Sequence, residues 1–406
     1  MNRIACLVAA VGCWGACNSP NTVDEGPDAS IETSWPDGAL PPDASAPILF
    51  PVPDWAEGDP ASFGFDEATL SEAANYAETI GSSCMAVIQD GRLIFERYWN
   101  GATPTSVHKT WSIAKSFTST LVGIAIDRGE LVSTSQRVSD YVSDWQGTDK
   151  EDITIRHLLS MTSGLEFEMV ADNLFAAFVD DQTQTAIDLS REEAPGTTWH
   201  YSNRAVQVLH RVLQAATGVD PEQYAIEHLW RPIGMNLQGE PDQRTHWDRD
   251  DSGDATMYMS VFSSCRDLAR LGYLYLHKGR WQDSQVISTD FVNAATSPSQ
   301  ALNPVYGYLW WVNGAEPAEG STQQMFDGTM MNFAPSDLFS AQGLGQTFID
   351  VVPSTNTVYV HIRPAPHDPF VKFITNPEGT MDELFRDGMR IEHKQLMRIL
   401  LDASRQ

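Results

Sequence analysis

Lys109-Thr110-Trp111-Ser112-Ile113-Ala114-Lys115-Ser116-Phe117-Thr118-Ser119-Thr120 is the stretch on which the reading of this chain turns. Ser112 is followed three residues later by Lys115, at the head of an apolar run that continues Leu121-Val122-Gly123-Ile124-Ala125-Ile126. On a helix, residues three apart share a face, so the lysine amine sits beside the serine hydroxyl. A serine hydroxyl is a weak nucleophile until a neighbour takes its proton, and a lysine does so once burial lowers its pKa. Ser-Xaa-Xaa-Lys by itself is met in many helices as a cap plus a solvated lysine. Here almost no charge follows Lys115, which predicts a helix buried on all sides. A lysine at the head of a buried helix needs a reason. Acyl transfer through a covalent acyl-serine supplies one, with no cofactor, metal or histidine.

The chain has 406 residues, enough for one large or two small domains, and 42% of them are hydrophobic. Its net charge of −28 excludes a nucleic-acid partner, which needs a basic face. The acidity is uneven. No Lys or Arg lies between Arg3 and Arg92, and Asn18 to Ala46 is rich in Asp, Glu, Pro and Ser. Such a segment buries too little apolar surface to fold, so residues 17–47 are expected to be a disordered acidic tether. Before it, Arg3, the apolar run Ile4 to Gly12 and the small pair Gly15-Ala16 make residues 1–16 an export signal. Small residues directly before Cys17 resemble a bacterial lipoprotein signal, with Trp14 where a Leu-like residue is usual. The expectation is an exported envelope protein whose only membrane contact is a lipid on Cys17, against an ordinary cleaved signal. Of the five cysteines, Cys84 and Cys265 then remain, either as a disulfide or as two separate buried thiols.

Residues 48–402 are expected to form the single globular domain. Asp66 to Thr79 reads as a first helix with Leu70, Ala73, Ala74 and Ala77 on one face. Asp90-Gly91 predicts a hairpin between Cys84–Gln89 and a strand from Leu93 to Trp99. The Ser112 helix runs to near Gly129. Thr154 caps a short helix from Ile155 to Met161, and Ser202 or Asn203 opens one that ends before Gly218. Cys265 to Leu276 reads as helix, and Met381 to Leu401 as the last one. Phe348 to Val352 and Val358 to Ile362 read as a second hairpin. Strands at both ends with helices between predict an α+β fold: one antiparallel sheet of N- and C-terminal strands plus a helical lobe, with a cleft between them.

A second motif, Trp199-His200-Tyr201-Ser202-Asn203, puts a tyrosine and an asparagine at a turn opening a helix. Tyrosine beside a lysine ammonium has its pKa lowered and relays protons between nucleophile and leaving group. With both motifs in view, the chain resembles the serine β-lactamase and penicillin-binding-protein superfamily. It looks most like the branch holding class C β-lactamases, D-alanyl-D-alanine peptidases, family VIII esterases and nylon-oligomer hydrolases. Ile153 to Leu165, Leu229 to Met235, Arg266 to Gly272 and Tyr306 to Trp311 add to the likeness, which spans Phe65 to Leu400. The resemblance implies a β-lactamase-like, transpeptidase-like fold. It makes Ser112 the nucleophile, Lys115 its base, Tyr201 the shuttle to the leaving group and Asn203 the residue orienting lysine and substrate.

By the same resemblance the third motif, usually Lys-Thr-Gly or His-Xaa-Gly on a strand beside the nucleophile, falls in Ser340 to Ile349. Ala341 takes the place of the cation, Gly343 the close approach, and Gly345 belongs to the same third-motif strand. The backbone N–H groups of Ser112 and Leu344 would form the oxyanion hole. Alanine cannot pair with a substrate carboxylate, which weighs against β-lactams and D-Ala-D-Ala ends and leaves small esters or short linear amides. The glycine-rich sequence is nearer the nylon-oligomer hydrolases, although that branch commonly shows Gly-Gly-Gln where this chain has Gly345-Gln346-Thr347.

Other chemistries fit less well. No serine sits in a Gly-Xaa-Ser-Xaa-Gly elbow. His108, His157 and His210 read as packing or capping residues, and Asp140, Asp144, Asp149 and Asp152 as a solvated loop rather than a metal site. Trp310 and Trp311 either line the cleft or pack beneath the sheet. Asp250, Asp251 and Asp254 lie in a loop that could border the substrate. Two alternatives to the esterase/amidase reading stand: a peptidase or β-lactamase, and an idle binding or sensor module.

Overall fold

Ala56–Glu57 forms a two-residue strand (β1), after which Asp66 caps the first helix by accepting the Thr69 backbone N–H at 2.7 Å. That helix, Glu67–Thr79 (α1), buries Leu70, Ala73, Ala74 and Ala77. Asp90 and Gly91 then sit at φ 50° and 76° between Cys84–Gln89 (β2) and Arg92–Tyr98 (β3), the left-handed turn a tight hairpin requires. A computed structural model describes residues 48–168, 171–172, 176–313, 331–364 and 388–404. The expected signal, the tether with Cys17, and residues 381–387 of the last helix lie outside them.

The middle of the chain is helical. A two-residue strand, His108–Lys109 (β4), leads into Ile113–Asp127 (α2), whose residues Ile113 to Ala125 are all buried. The short helix Ile155–Leu159 (α3) stops two residues before Met161, which sits at φ +61° and cannot continue it. Its first turn is closed by Thr154 and His157 in a reciprocal capping box. Gln182–Ile187 (α4), Asn203–Thr217 (α5) and Pro221–Ala225 (α6) follow. His246–Trp247 (β5) and Val261–Ser263 (β6) join β4 in a three-stranded sheet of order β4-β6-β5. Cys265–Leu276 (α7), the ribbon Arg280–Trp281 (β7) with Ser284–Gln285 (β8), and Thr289–Ala295 (α8) complete this part.

The last strands are Trp311–Val312 (β9), Phe339–Gly343 (β10), Thr347–Val352 (β11) and Thr357–Ile362 (β12), and Gly388–Ala403 (α9) is the last helix. They join the first strands in a seven-stranded sheet of order β1-β3-β2-β12-β11-β10-β9. Each neighbouring pair is antiparallel except β1 with β3, which is parallel. The sheet is therefore mixed, not wholly antiparallel as expected. β1 has two residues inside a Pro-rich stretch, too few to show a period-2 pattern in sequence.

Both faces of the sheet are covered. Cys84, Ala86 and Ile88 face the core shared with α2 and α7, while Met85 and Val87 face the core with α1 and α9. That explains why these strands read as unbroken apolar runs rather than alternating ones. Helix α7 lies close on the sheet because Gly272 has no side chain: a Cβ there would meet Val358 Cγ1 at 2.6 Å and Ile349 Cγ2 at 2.7 Å. A disulfide between Cys84 of β2 and Cys265 of α7, Cα atoms 6.3 Å apart, fastens the same two layers.

Candidate active site

Thr110 pins the approach to Ser112. Its backbone N–H and its hydroxyl both donate to the Val261 carbonyl of β6, at 2.9 and 2.7 Å. Trp111 then turns through φ +53°, a conformation that costs a bulky residue about 1–3 kcal/mol. Ser112 becomes the N-cap of α2, and Lys115 falls in the first turn on the same face.

Lys115 is 1% exposed. Its Nζ lies 2.9 Å from Ser112 Oγ, 2.7 Å from Asn203 Oδ1 and 2.8 Å from the Tyr258 carbonyl oxygen. The Tyr201 ring covers it with its centroid 4.7 Å away. Burial holds the amine well below the ordinary lysine value of 10.5, against the pull of the Asp172 charge. Two of the three partners are carbonyl oxygens, which only accept. The ammonium donates to all three oxygens; once neutral, the amine keeps two N–H groups for Asn203 and Tyr258 and offers its lone pair to the Ser112 O–H.

Asn203 opens α5, and its orientation is fixed from the far side: Nδ2 donates to the Asp172 carbonyl at 2.8 Å. The Asp172 carboxylate is fully buried, accepts from Ser202 Oγ at 2.8 Å and pairs with Arg204 at 2.9 Å. Tyr201 departs from expectation. Burial pushes its phenol above the ordinary value of 10.0, and a hydrogen bond with Ser112 only partly offsets this. The ammonium that would have lowered it is itself driven toward the neutral amine. Tyr201 is thus a protonated phenol, able to donate.

The third motif lies against the same turn. A Cβ on Gly343, at the end of β10, would sit 2.2 Å from the Thr110 carbonyl oxygen and 3.3 Å from Trp111 Cβ, so only glycine lets the strand come this near. Leu344 begins the β10–β11 turn, with Gly345 and Gln346 at φ +81° and +70°. Gln346 tethers it from behind. Its carbonyl accepts from His361 Nδ1 at 2.6 Å and its Oε1 from the His393 N–H at 3.1 Å. Ala341 is buried opposite Ile349. Trp311 stacks on Tyr201 at 6.0 Å, whereas Trp310 packs in the core against Tyr275.

Two contributors escaped the sequence reading. Tyr258 acts through its carbonyl, which every residue has. Asp172 lies 31 residues before Asn203, with no motif linking the two. The histidines stand apart: His108 is half-buried on β4, His157 caps α3, and His210 faces Asp254 at 3.4 Å. Asp250 organises its own loop, accepting from the Gln182 and Asp254 N–H groups. Among the described residues no group of three or more His, Cys, Asp or Glu side chains is placed to hold a metal.

Residues 72–362 match the beta-lactamase family. The chain belongs to that family. This beta-lactamase-family serine hydrolase is 23% identical over 274 residues to the 6-aminohexanoate-dimer hydrolase of Paenarthrobacter ureafaciens, across 61% of this chain and 68% of that one. Its fold is shared with a penicillin-binding-protein homologue from Caulobacter crescentus, TM-score 0.60 at 14% identity, covering 86% of this chain and 98% of that one. A family VIII carboxylesterase is as near, TM-score 0.57 at 16% identity, covering 84% and 99%.

Proposed function

We propose that the chain hydrolyses small carboxylic esters, and short linear amides second, through an acyl-Ser112 intermediate. The observation that carries this is Lys115, buried beside Ser112 Oγ with its N–H groups committed to two carbonyl oxygens. Lys115 takes the Ser112 proton as Oγ bonds to the substrate carbonyl carbon. The oxyanion sits between the Ser112 and Leu344 N–H groups, each worth roughly 3 kcal/mol in comparable sites. The ester or amide bond breaks as Tyr201 gives its proton to the leaving group and takes the one on Lys115. Water then passes a proton to Lys115, attacks the acyl carbon and releases the acid, and the proton returns to Ser112.

Ala341 supports substrates without a carboxylate at that subsite, since losing such a contact costs about 1.5–3 kcal/mol. The names of the relatives, a 6-aminohexanoate-dimer hydrolase and a carboxylesterase, point to the same bond types. Export with a lipid on Cys17 belongs to this proposal and is checked by palmitate labelling of wild type against Cys17→Ser. For the reaction, short p-nitrophenyl esters, nitrocefin and a linear amide are assayed side by side. Ester turnover lost in Ser112→Ala, without nitrocefin turnover, is expected. Nitrocefin turnover rivalling that of the esters would overturn the ranking, and ester turnover surviving in Ser112→Ala would overturn the nucleophile.

A further inference from the structure

A cavity of about 840 Å³ lies between the segments around Pro53, Thr105, Gln223, Gly234, Arg244 and Arg266, and none of Ser112, Lys115, Tyr201 or Asn203 lines it. Its chemistry is unusual for this chain. With 54 acidic residues against 26 Lys and Arg, a guanidinium finds carboxylates easily. Arg137, Arg191, Arg204 and Arg249 each sit on one. In the cavity wall Arg266 is held by Glu96 and Asp54, and Arg270 donates to the carbonyls of Pro51, Pro53 and Ile233. Arg231 and Arg244 line the same cavity, and neither guanidinium has a hydrogen bond or ion pair among the described residues. Arg211, on α5 and outside the wall, is in the same condition.

A planar guanidinium offers a fork of donors that matches a carboxylate or phosphate edge. Two guanidinium forks without a protein partner among the described residues, in one concavity of an otherwise acidic protein, concentrate anions there. The volume exceeds what a bare ion needs and falls in the range of small-molecule sites. Ile226, Met235 and Leu237 supply apolar wall for an organic body. We infer that this cavity binds a small organic anion through a carboxylate or phosphate group held by Arg231 and Arg244. The site is separate from the acyl-transfer chemistry, and its test does not depend on turnover.

The full chain is titrated calorimetrically at constant ionic strength, with citrate as the carboxylate probe and glycerol 3-phosphate as the phosphate probe. At least one should saturate. Arg231→Gln and Arg244→Gln should each weaken binding by about tenfold or more, the scale of losing one bidentate charge-assisted contact. Arg231→Lys and Arg244→Lys, which keep the charge and lose the fork, should also weaken it, and Arg211→Gln should not. Thermal melts of each variant check that the fold is kept. Saturation by citrate alone assigns a carboxylate, by glycerol 3-phosphate alone a phosphate. Failure of both probes to saturate overturns the inference. So does equal weakening by Arg211→Gln, which would make the effect one of diffuse charge.

Discussion

Lys115 stands where three oxygens converge on one amine: the Asn203 and Tyr258 carbonyls and the Ser112 hydroxyl. Burial favours the neutral amine, whose lone pair can take the Ser112 proton, while the Asp172 carboxylate works the other way by favouring the ammonium. Removing that charge should therefore make the base available at lower pH. In Asp172→Asn, the acid limb of Ser112 labelling by a fluorophosphonate should move to lower pH, with the plateau rate little changed. A limb that stays in place would mean that the Asp172 charge does not act on Lys115. At this scale the sequence was legible in which side chains come together, Ser112, Lys115, Tyr201 and Asn203. It was silent on the Tyr258 carbonyl, because a backbone acceptor has no residue signature. It misled on Tyr201, because the proximity of a lysine says nothing of whether that lysine keeps its proton.

Two glycines separate the element that shapes the site from the element that holds the fold. Gly343 lets the end of β10 reach the Thr110-Trp111 turn, and Gly272 lets α7 lie on the sheet. In Gly343→Ala the new methyl meets backbone, so the strand end must retreat from the nucleophile turn. A displacement of about 1 Å at a reacting centre costs on the order of a hundredfold, so kcat/KM should fall by about that factor with a small change in melting temperature. In Gly272→Ala the methyl meets Val358 and Ile349, and overpacking should cost about 1–3 kcal/mol of stability while kcat/KM at 25 °C is kept. Swapped phenotypes would show that the two contacts have been assigned the wrong duties. The long elements were legible from apolar spacing and their punctuation: Asp66 before α1, Asp90-Gly91 in the first hairpin, Gly218 after α5. The two-residue strands β1, β4, β5 and β9 were not, since a strand that short has no period to detect and is made by its partner.

At the scale of the molecule, the N-terminal hairpin and the last hairpin lie side by side through β2 and β12, so the sheet closes only when both ends of the domain have come together. Helix α7 crosses that seam, packing on β2, β11 and β12, and the Cys84–Cys265 bridge ties it to β2 across 181 residues of sequence. A crosslink over so long a loop removes much freedom from the unfolded chain, and losing it typically costs about 2–5 kcal/mol. Both sulfurs are buried, so a reductant should reach them only as the protein opens. Melting in dithiothreitol should thus occur several degrees lower than without it, and a Cys84→Ala/Cys265→Ala variant should melt low in both conditions. Cys265 follows β6 by two residues, and β6 holds Thr110. If the bridge serves the fold alone, the double variant keeps its ester turnover at 25 °C and loses it only near its lowered melting point. A tenfold loss of kcat/KM at 25 °C, with the fold intact, would instead make the bridge part of what aims Ser112, because β6 would then need the anchor at its end to hold the nucleophile turn in place.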